Sequence, residues 1–323
     1  MIRIAIIGMG LIGSSLGLAL RVADSKTDPM GEVDVIGYDV DIANTKEARG
    51  RLSIDKVATT IAEAVNGAHL VVLAVPAQAM QSALRSIAPH LGAGTVVTDV
   101  TSTKAVVGEW AREILPTANP FIGGHPMAGR EMSGPKAAAS NLFKGAVYCL
   151  CPTNTSPGAA INLCEAVVER IGAKVYFIDP VEHDAYVAGI SHMPFVLAAT
   201  IVKTTVGTAA GREMGALAAT GFRDMTRLAS GNVTMHGDIV LTNRDSLTRW
   251  IDDMTAELNT LKENIIAGDE AAIMQFFAES KKLREEWLVQ KPGMRPGEAE
   301  YEDMGVDLVQ RPSLFGRRSG DRK

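Results

Sequence analysis

The chain has 323 residues, 46% of them hydrophobic, and a formal net charge of -5. That is enough apolar material for a core in each of two domains, and the acidic balance argues against nucleic acid as the main partner. The best apolar run, Tyr186 to Val202, is interrupted by Ser191, His192 and Pro194, so no stretch reads as a clean bilayer span, and three cysteines, an odd number, point to reduced thiols in a cytoplasm.

The first twenty residues organise the rest. Ile4, Ile6 and Ile7 form a β-branched run that meets Gly8-Met9-Gly10-Leu11-Ile12-Gly13, and small and apolar residues continue to Leu20 without a breaker. Strand, tight turn and helix in that order are the context in which G-x-G-x-x-G binds a dinucleotide. Gly8 lets the chain turn, Gly10 lets backbone approach a pyrophosphate, and Gly13 lets helix pack on strand. Met9, Leu11 and Ile12 complete the cofactor loop, and the helix N-terminus offers unpaired N–H groups to the phosphates. A secretory signal competes for the same stretch, but Arg3 alone makes a poor basic region and the glycine spacing would be coincidence. A glycine-rich turn that binds nothing is the other bland reading.

After a polar segment, 23–32, the run Val33 to Asp39 predicts a second strand ending on an acid. A carboxylate there accepts hydrogen bonds from an adenosine ribose and repels a 2′-phosphate, so Asp39 points to NAD rather than NADP. A short third strand is expected around Ile54 to Ala58. Ala68 to Val75 is a continuous apolar run suited to burial on both faces of a parallel sheet, ended by Pro76. Ser82 to Leu91 reads as helix, Thr95 to Val100 as strand, and Thr101-Ser102-Thr103-Lys104 as the cap and first turn of the next helix. Val75, Pro76, Asp99 and Thr101 thereby fall on the carboxyl edge of the sheet, where cofactor binds. Phe121 to Gly123 predicts a further strand running into a glycine-flanked loop that holds His125, Arg130 and Glu131. Ala146 to Leu150 and Lys174 to Ile178 are the last expected strands, with a helix from Gly158 to Ile171 between them. Cys149 and Cys151 share a strand face, but no His or second Cys pair sits at zinc spacing, so buried thiols and no metal are expected.

From Pro180 onward only helical periodicities remain, broken at Gly211, Gly221, Gly231 and Asn243. Trp250, Ile251, Met254, Leu258, Leu261 and Ile265 recur at helical spacing, and Ile273, Phe276, Phe277 and Trp287 continue the stripe. Such a stripe is core by default and is also a natural dimer interface. The organisation expected is α/β: a Rossmann-type doubly wound sheet over 1–179, an all-helical substrate and dimerisation domain over 180–290, and a disordered basic tail over 291–323.

A dinucleotide site implies hydride transfer, which needs a group to draw the proton from the alcohol being oxidised. His125 is the candidate, because a neutral imidazole with an ordinary pKa of ~6.5 accepts such a proton at working pH. Ser102, at the start of the neighbouring helix, is the candidate to hold its ring in one tautomer.

The segments GMGLIGSSLGLAL, DVTSTK, GGHPMAGREMSG, ISHMPF and GFRDMTRLAS, in order from Met1 to about Trp287, resemble the prephenate/arogenate (cyclohexadienyl) dehydrogenase family of tyrosine biosynthesis. The resemblance implies that His125 receives a hydrogen bond from the ring hydroxyl of the substrate, that Ser102 orients it, that His192 lines the pocket, that Arg227 holds the ring carboxylate and that Glu131 sits at the pocket mouth. It implies NAD as cofactor, a homodimer and no metal. Two positions depart from the family pattern. Arg130 stands where a small hydroxyl residue is common, and His236-Gly237 where Trp-Arg is frequent. Arg130 is expected to add a cation that favours the second carboxylate of the substrate. No fused mutase precedes Met1 and no ligand-sensing domain follows the helices, so allosteric tyrosine control through such a module is not expected. A β-hydroxyacid dehydrogenase is the alternative within the enzymes, but the surroundings of Lys203 do not supply its lysine motif. An NAD-binding redox regulator is the alternative outside them, and it would leave His125, Ser102, His192 and Arg227 without a common purpose.

Overall fold

A computed structural model describes residues 1–22, 30–130 and 132–290. Most of the polar segment after the first helix (23–29), Glu131 and the tail 291–323 lie outside the described residues. Among the described residues eight strands form one sheet: β1 (Ile2–Ile7), β2 (Val33–Tyr38), β3 (Lys56–Val57), β4 (Leu70–Leu73), β5 (Val96–Asp99), β6 (Phe121–Pro126), β7 (Val147–Cys151) and β8 (Lys174–Phe177). Their order is β3-β2-β1-β4-β5-β6-β7-β8. Strands β1 to β6 run parallel, β7 is antiparallel to β6, and β8 is parallel to β7. The order reverses between β1 and β4, so the carboxyl ends of these two strands flank the crevice where such sheets bind ligands.

The period of two decides what each strand buries. Ile4 and Ile6 of β1 face one core with Val35, Leu70, Val72 and Ile122, while Ala5 and Ile7 face the other with Ile36, Val71, Leu73 and Val97. The first face is covered by α1 (Leu11–Val22) and α6 (Gly158–Arg170), which add Leu16, Leu20, Cys164 and Val168, and Ala48 of the short α2 (Ile42–Gly50) joins the same core. The second is covered by α3 (Ile61–Val65), α4 (Met80–Ile87) and α5 (Ala105–Ile114), through Val65, Met80, Leu84, Ile87 and Val107. Burial on both faces is why the strands read as apolar runs rather than alternations.

Among the described residues, seven α-helices follow β8: α7 (Pro180–Val187), α8 (Met193–Thr204), α9 (Gly211–Leu217), α10 (Thr220–Thr226), α11 (Val233–Thr242), α12 (Arg244–Ala267) and α13 (Glu270–Gln290). Asp179 caps α7 by accepting the N–H groups of Val181 and Glu182, with Pro180 at the first helical position. One π-helical turn, Ala188–His192, joins α7 to α8. From Pro180 to Thr204 this makes the one stretch among the described residues long and apolar enough to cross a membrane by length and composition. Buried His183, Asp184 and His192 lie on it, hydrogen-bonded to the sheet domain and to Asn243, as on a core helix.

The described chain divides into two compact units, Met1–Asn259 and the residues from Thr260 onward. In the first, Trp250, Ile251 and Leu258 are exposed although their spacing reads as core; the Trp250 indole N–H donates to the Ala185 carbonyl at 3.0 Å. In the second, Ile265, Phe277 and Trp287 are exposed and Ile273 and Phe276 half-buried. The stripe is therefore not the core of a single chain.

Two local expectations are corrected. The segment Thr101 to Lys104 is not a cap followed by a first turn: α5 begins at Ala105, and no side chain of its own segment caps it. Asp184 does so from α7, accepting the N–H groups of Lys104 at 2.8 Å and Ala105 at 2.9 Å. His125 is not on a loop after a strand but within β6, paired in register with Cys149 of β7.

Candidate active site

The glycine turn is built as its spacing requires. Gly8 has φ +101, and a Cβ there would run into the Ala74 carbonyl; a Cβ on Gly13 would run into the Gly8 carbonyl. A Cβ on Gly10 would meet nothing within 4 Å, so that side of the turn is open to a phosphate. Gly13→Ala is therefore expected to lower the thermal midpoint by several degrees, while Gly10→Ala leaves it unchanged and raises the KM for NAD about tenfold or more; thermal melts and NAD titrations of the two variants check this.

Asp39, just past β2, turns its carboxylate to the same loop, accepting Met9 N–H at 2.7 Å and Asp41 N–H at 2.9 Å. Half-buried Val75 and exposed Pro76 follow β4 on the neighbouring edge, and Leu11 and Ile12, half-buried, start α1. The open Gly10 face, the positive φ at Gly8 and the adjacent acid fit a dinucleotide.

Asp99 and Thr101, expected at the cofactor, are buried in a hydrogen-bonded group beside β6. Strand β6 pairs with β5 only at Phe121 and Ile122 and then leaves it. Beyond that point the fully buried Asp99 accepts Gly124 N–H at 3.1 Å, and Lys104, 1% exposed, donates to the Gly124 carbonyl at 2.7 Å. Lys104 also pairs with the Asp99 carboxylate, which further accepts Thr101 N–H at 2.9 Å and the Thr101 hydroxyl. An ion pair thus replaces the missing ladder bonds of a splayed strand and satisfies buried backbone groups.

Along the same strand, His125 is 8% exposed, and its Nδ1 lies 2.9 Å from Nε2 of His183 on α7. The His183 Nδ1 lies 2.8 Å from the Asp184 carboxylate. Burial, then the nearby His183, Lys104 and His192, push the His125 pKa well below the usual imidazole value. Ser102, half-buried, makes no hydrogen bond to His125, so the ring partner expected at Ser102 is His183 instead.

The π-helical turn places His192 in full burial. Asn243, between α11 and α12, donates one amide proton to the Asp184 carbonyl at 2.7 Å and the other to His192 Nδ1 at 3.1 Å. With Nδ1 accepting, a neutral His192 carries its proton on Nε2, and that buried atom has no partner in the chain. Burial pushes the His192 pKa down to about 4, so the ring is neutral near pH 7. Phe195 lies beside it, ring centres 6.1 Å apart, and His236 stacks on Phe195 at 4.1 Å and an interplanar angle of 2°. The departure at His236 therefore keeps a flat ring, an imidazole, stacked on Phe195.

His125, His183, Asp184, His192, Asn243 and Lys104 form one hydrogen-bonded neighbourhood at the end of the sheet. Arg227 lies exposed at the start of the 3-10 turn after α10, Arg130 is exposed past β6, and Glu131 lies outside the described residues. His183, Asp184, Lys104 and Asn243 were absent from the residues singled out for chemistry in the sequence. A His-Asp dipeptide three residues after Pro180, in the first turns of the helix that Asp179 starts, is the one local signal that marks two of them.

Comparison with known proteins agrees with this layout. The sequence model of the prephenate dehydrogenase nucleotide-binding domain matches residues 25–177, and that of the prephenate dehydrogenase dimerization domain residues 179–279. Prephenate dehydrogenase of Bacillus subtilis (strain 168) is 31% identical, covering 97% of this chain and 82% of its own length. That of Lactococcus lactis subsp. cremoris is 34% identical, covering 90% and 78%. The crystal structure of prephenate dehydrogenase from A. aeolicus in complex with hydroxyphenyl propionate and NAD+ aligns with a TM-score of 0.81 at 28% identity, covering 88% of this chain and 98% of that one. With both domains matched in order and relatives above 30% identity over most of its length, the chain belongs to the prephenate dehydrogenase family.

Proposed function

We propose that this chain carries out the NAD-dependent oxidative decarboxylation of prephenate, arogenate or both, with His125 as the base at the ring hydroxyl. The observation that carries the reading is a buried imidazole, neutral near pH 7 and held by a second imidazole, on β6, two strands along the sheet from β4 at the dinucleotide crevice. When bound, NAD supplies the hydride acceptor. The substrate is a cyclohexadiene with a hydroxyl at C4 and a carboxylate at C1, so loss of hydride from C4 leaves an electron-poor ring that releases CO2 and becomes aromatic. His125 polarises the hydroxyl as the C4 centre gives up its electrons, and the proton it draws returns to the phenol oxygen of the product. No net proton is consumed. The downhill aromatisation leaves the protein to align and polarise, which needs no metal.

In this reading Arg227 holds the ring carboxylate, because a guanidinium binds a carboxylate bidentately in one plane. The unpartnered Nε2 of His192 supplies a donor to the bound acid, and Arg130 favours the carboxylate of the side chain. Ser102 lines the same edge. Gly8, Met9, Gly10, Leu11, Ile12, Gly13, Asp39, Val75 and Pro76 hold the cofactor. The exposed stripe on α12 and α13 supports a homodimer through the helical domain, and the three cysteines, all free and buried, suit a reducing cytoplasm.

Mixing the protein with NAD and either substrate and following reduced-nicotinamide absorbance tests the activity. A signal with at least one of them is expected, silence with both would sink the reading, and the ratio of the two kcat/KM values reads the side-chain preference. Asp39→Ser is expected to raise kcat/KM with NADP relative to NAD by about tenfold or more, since it removes the charge that repels a 2′-phosphate. An unchanged ratio would place the discriminating acid elsewhere.

A further inference from the structure

The buried chain of groups that ends on His125 has a direction. Both oxygens of the Asp184 carboxyl receive backbone donors from the N-terminus of α5, Lys104 N–H on Oδ1 and Ala105 N–H on Oδ2, so the group acts as an acceptor. His183 Nδ1, 2.8 Å from Oδ1, is therefore the donor of that bond. The negative charge of Asp184 is already met by those N–H groups and by the positive end of the helix, so it needs no cation on the neighbouring ring. His183 is 1% exposed. A neutral His183 with its proton on Nδ1 offers only a lone pair on Nε2. The 2.9 Å contact with His125 Nδ1 must then be made by the N–H of His125.

We propose that His183, held by Asp184, is a positioning residue that fixes His125 as the tautomer protonated on Nδ1 and presents Nε2 as the accepting atom. The proposal rests on the reading of His125 as the base. It assigns a function to two residues whose polar contacts run to His125 and to the start of α5. The groups that face His125 are His183 and Asp184 from α7, Lys104 from the segment before α5, His192 from the π-helical turn and Cys149 across from it on β7. Lys104 is already committed to Asp99 and the Gly124 carbonyl, and His192 Nδ1 to Asn243, which leaves His183 as the ring's one hydrogen-bond partner on Nδ1. Because the same carboxylate caps α5, the segment after β5 and the orientation of the base are fixed by one group.

The test uses the full chain labelled with 15N, with the His125 ring signals identified by their loss in His125→Asn. Two-bond nitrogen–proton spectra near pH 7 are expected to carry the pattern of a neutral ring protonated on Nδ1. In His183→Leu that pattern is expected to give way to protonation on Nε2, and kcat to fall by about a hundredfold or more with the KM for NAD unchanged. His183→Gln, whose side-chain oxygen can still accept from Nδ1, is expected to recover most of the loss. A wild-type His125 carrying its proton on Nε2, or a His183→Leu variant that keeps both tautomer and kcat, would overturn the proposal. The wild-type spectrum decides even where the leucine variant does not fold. Full activity in His125→Asn would instead remove the base while leaving the tautomer measurement standing, so the two failures are distinguishable.

Discussion

His125→Asn is expected to lower kcat by about 10²–10⁴, the usual contribution of a general base, while the affinity for NAD stays near the wild-type value. The asparagine amide is short enough for the space and keeps a polar group on β6, but it has no atom that accepts and returns a proton near neutral pH. The contacts proposed for the cofactor lie elsewhere, on the Gly8 to Gly13 turn and at Asp39, so a loss confined to kcat is the signature of chemistry. Equal losses in kcat and NAD affinity would mark β6 as a scaffold. The pH dependence carries the sign. Burial and the neighbouring His183, Lys104 and His192 hold the His125 pKa well below the usual value near 6.5, so the ring is neutral throughout the range where a free histidine would be gaining its proton. The acid limb of kcat/KM should therefore lie below pH 6.5 and disappear in His125→Asn. An acid limb at or above 6.5 in the wild type would mean that a different group titrates.

What the sequence made legible follows the range of the forces involved. The strand, turn and helix from Ile2 to Val22, the acid at Asp39 and the all-helical half after Asp179 are all written in neighbouring residues, through periodicity, glycine spacing and caps. His125 was legible as a candidate but its setting was not. Gly124 before it and Pro126 after it read as loop, whereas Gly123 and Gly124 are there because Lys104 and Asp99 press against the strand as it leaves β5. The partners of the base were hidden for a different reason. His183 and Asp184 lie 58 and 59 residues further along the chain and meet β6 and α5 only when the first helix after the sheet docks, so no local pattern connects them. Asn243 has the look of a helix breaker, and it is one. Its amide also joins Asp184 to His192 inside the core.

Lys104 is the residue whose burial local reasoning would least expect, since lysine is almost never fully buried unless paired. Its ammonium meets Asp99 with both side chains out of solvent, and the pair carries the β5–β6 splay on which His125 stands. Lys104→Met should therefore cost about 3–5 kcal/mol of stability, because it strands a buried carboxylate and takes the donor from the Gly124 carbonyl while filling nearly the same volume. Urea unfolding checks it, as a fall in midpoint with an unchanged slope. The double variant Asp99→Asn/Lys104→Met is expected to recover a large part of that loss, since the uncompensated charge is gone and an amide oxygen still accepts from Gly124 or Thr101 N–H. The two measurements separate a charge that must be balanced from a cavity that must be filled. A single variant within about 1 kcal/mol of the wild type, the span of an exposed ion pair, would mean that water reaches Asp99 and that the strand is held open by something else.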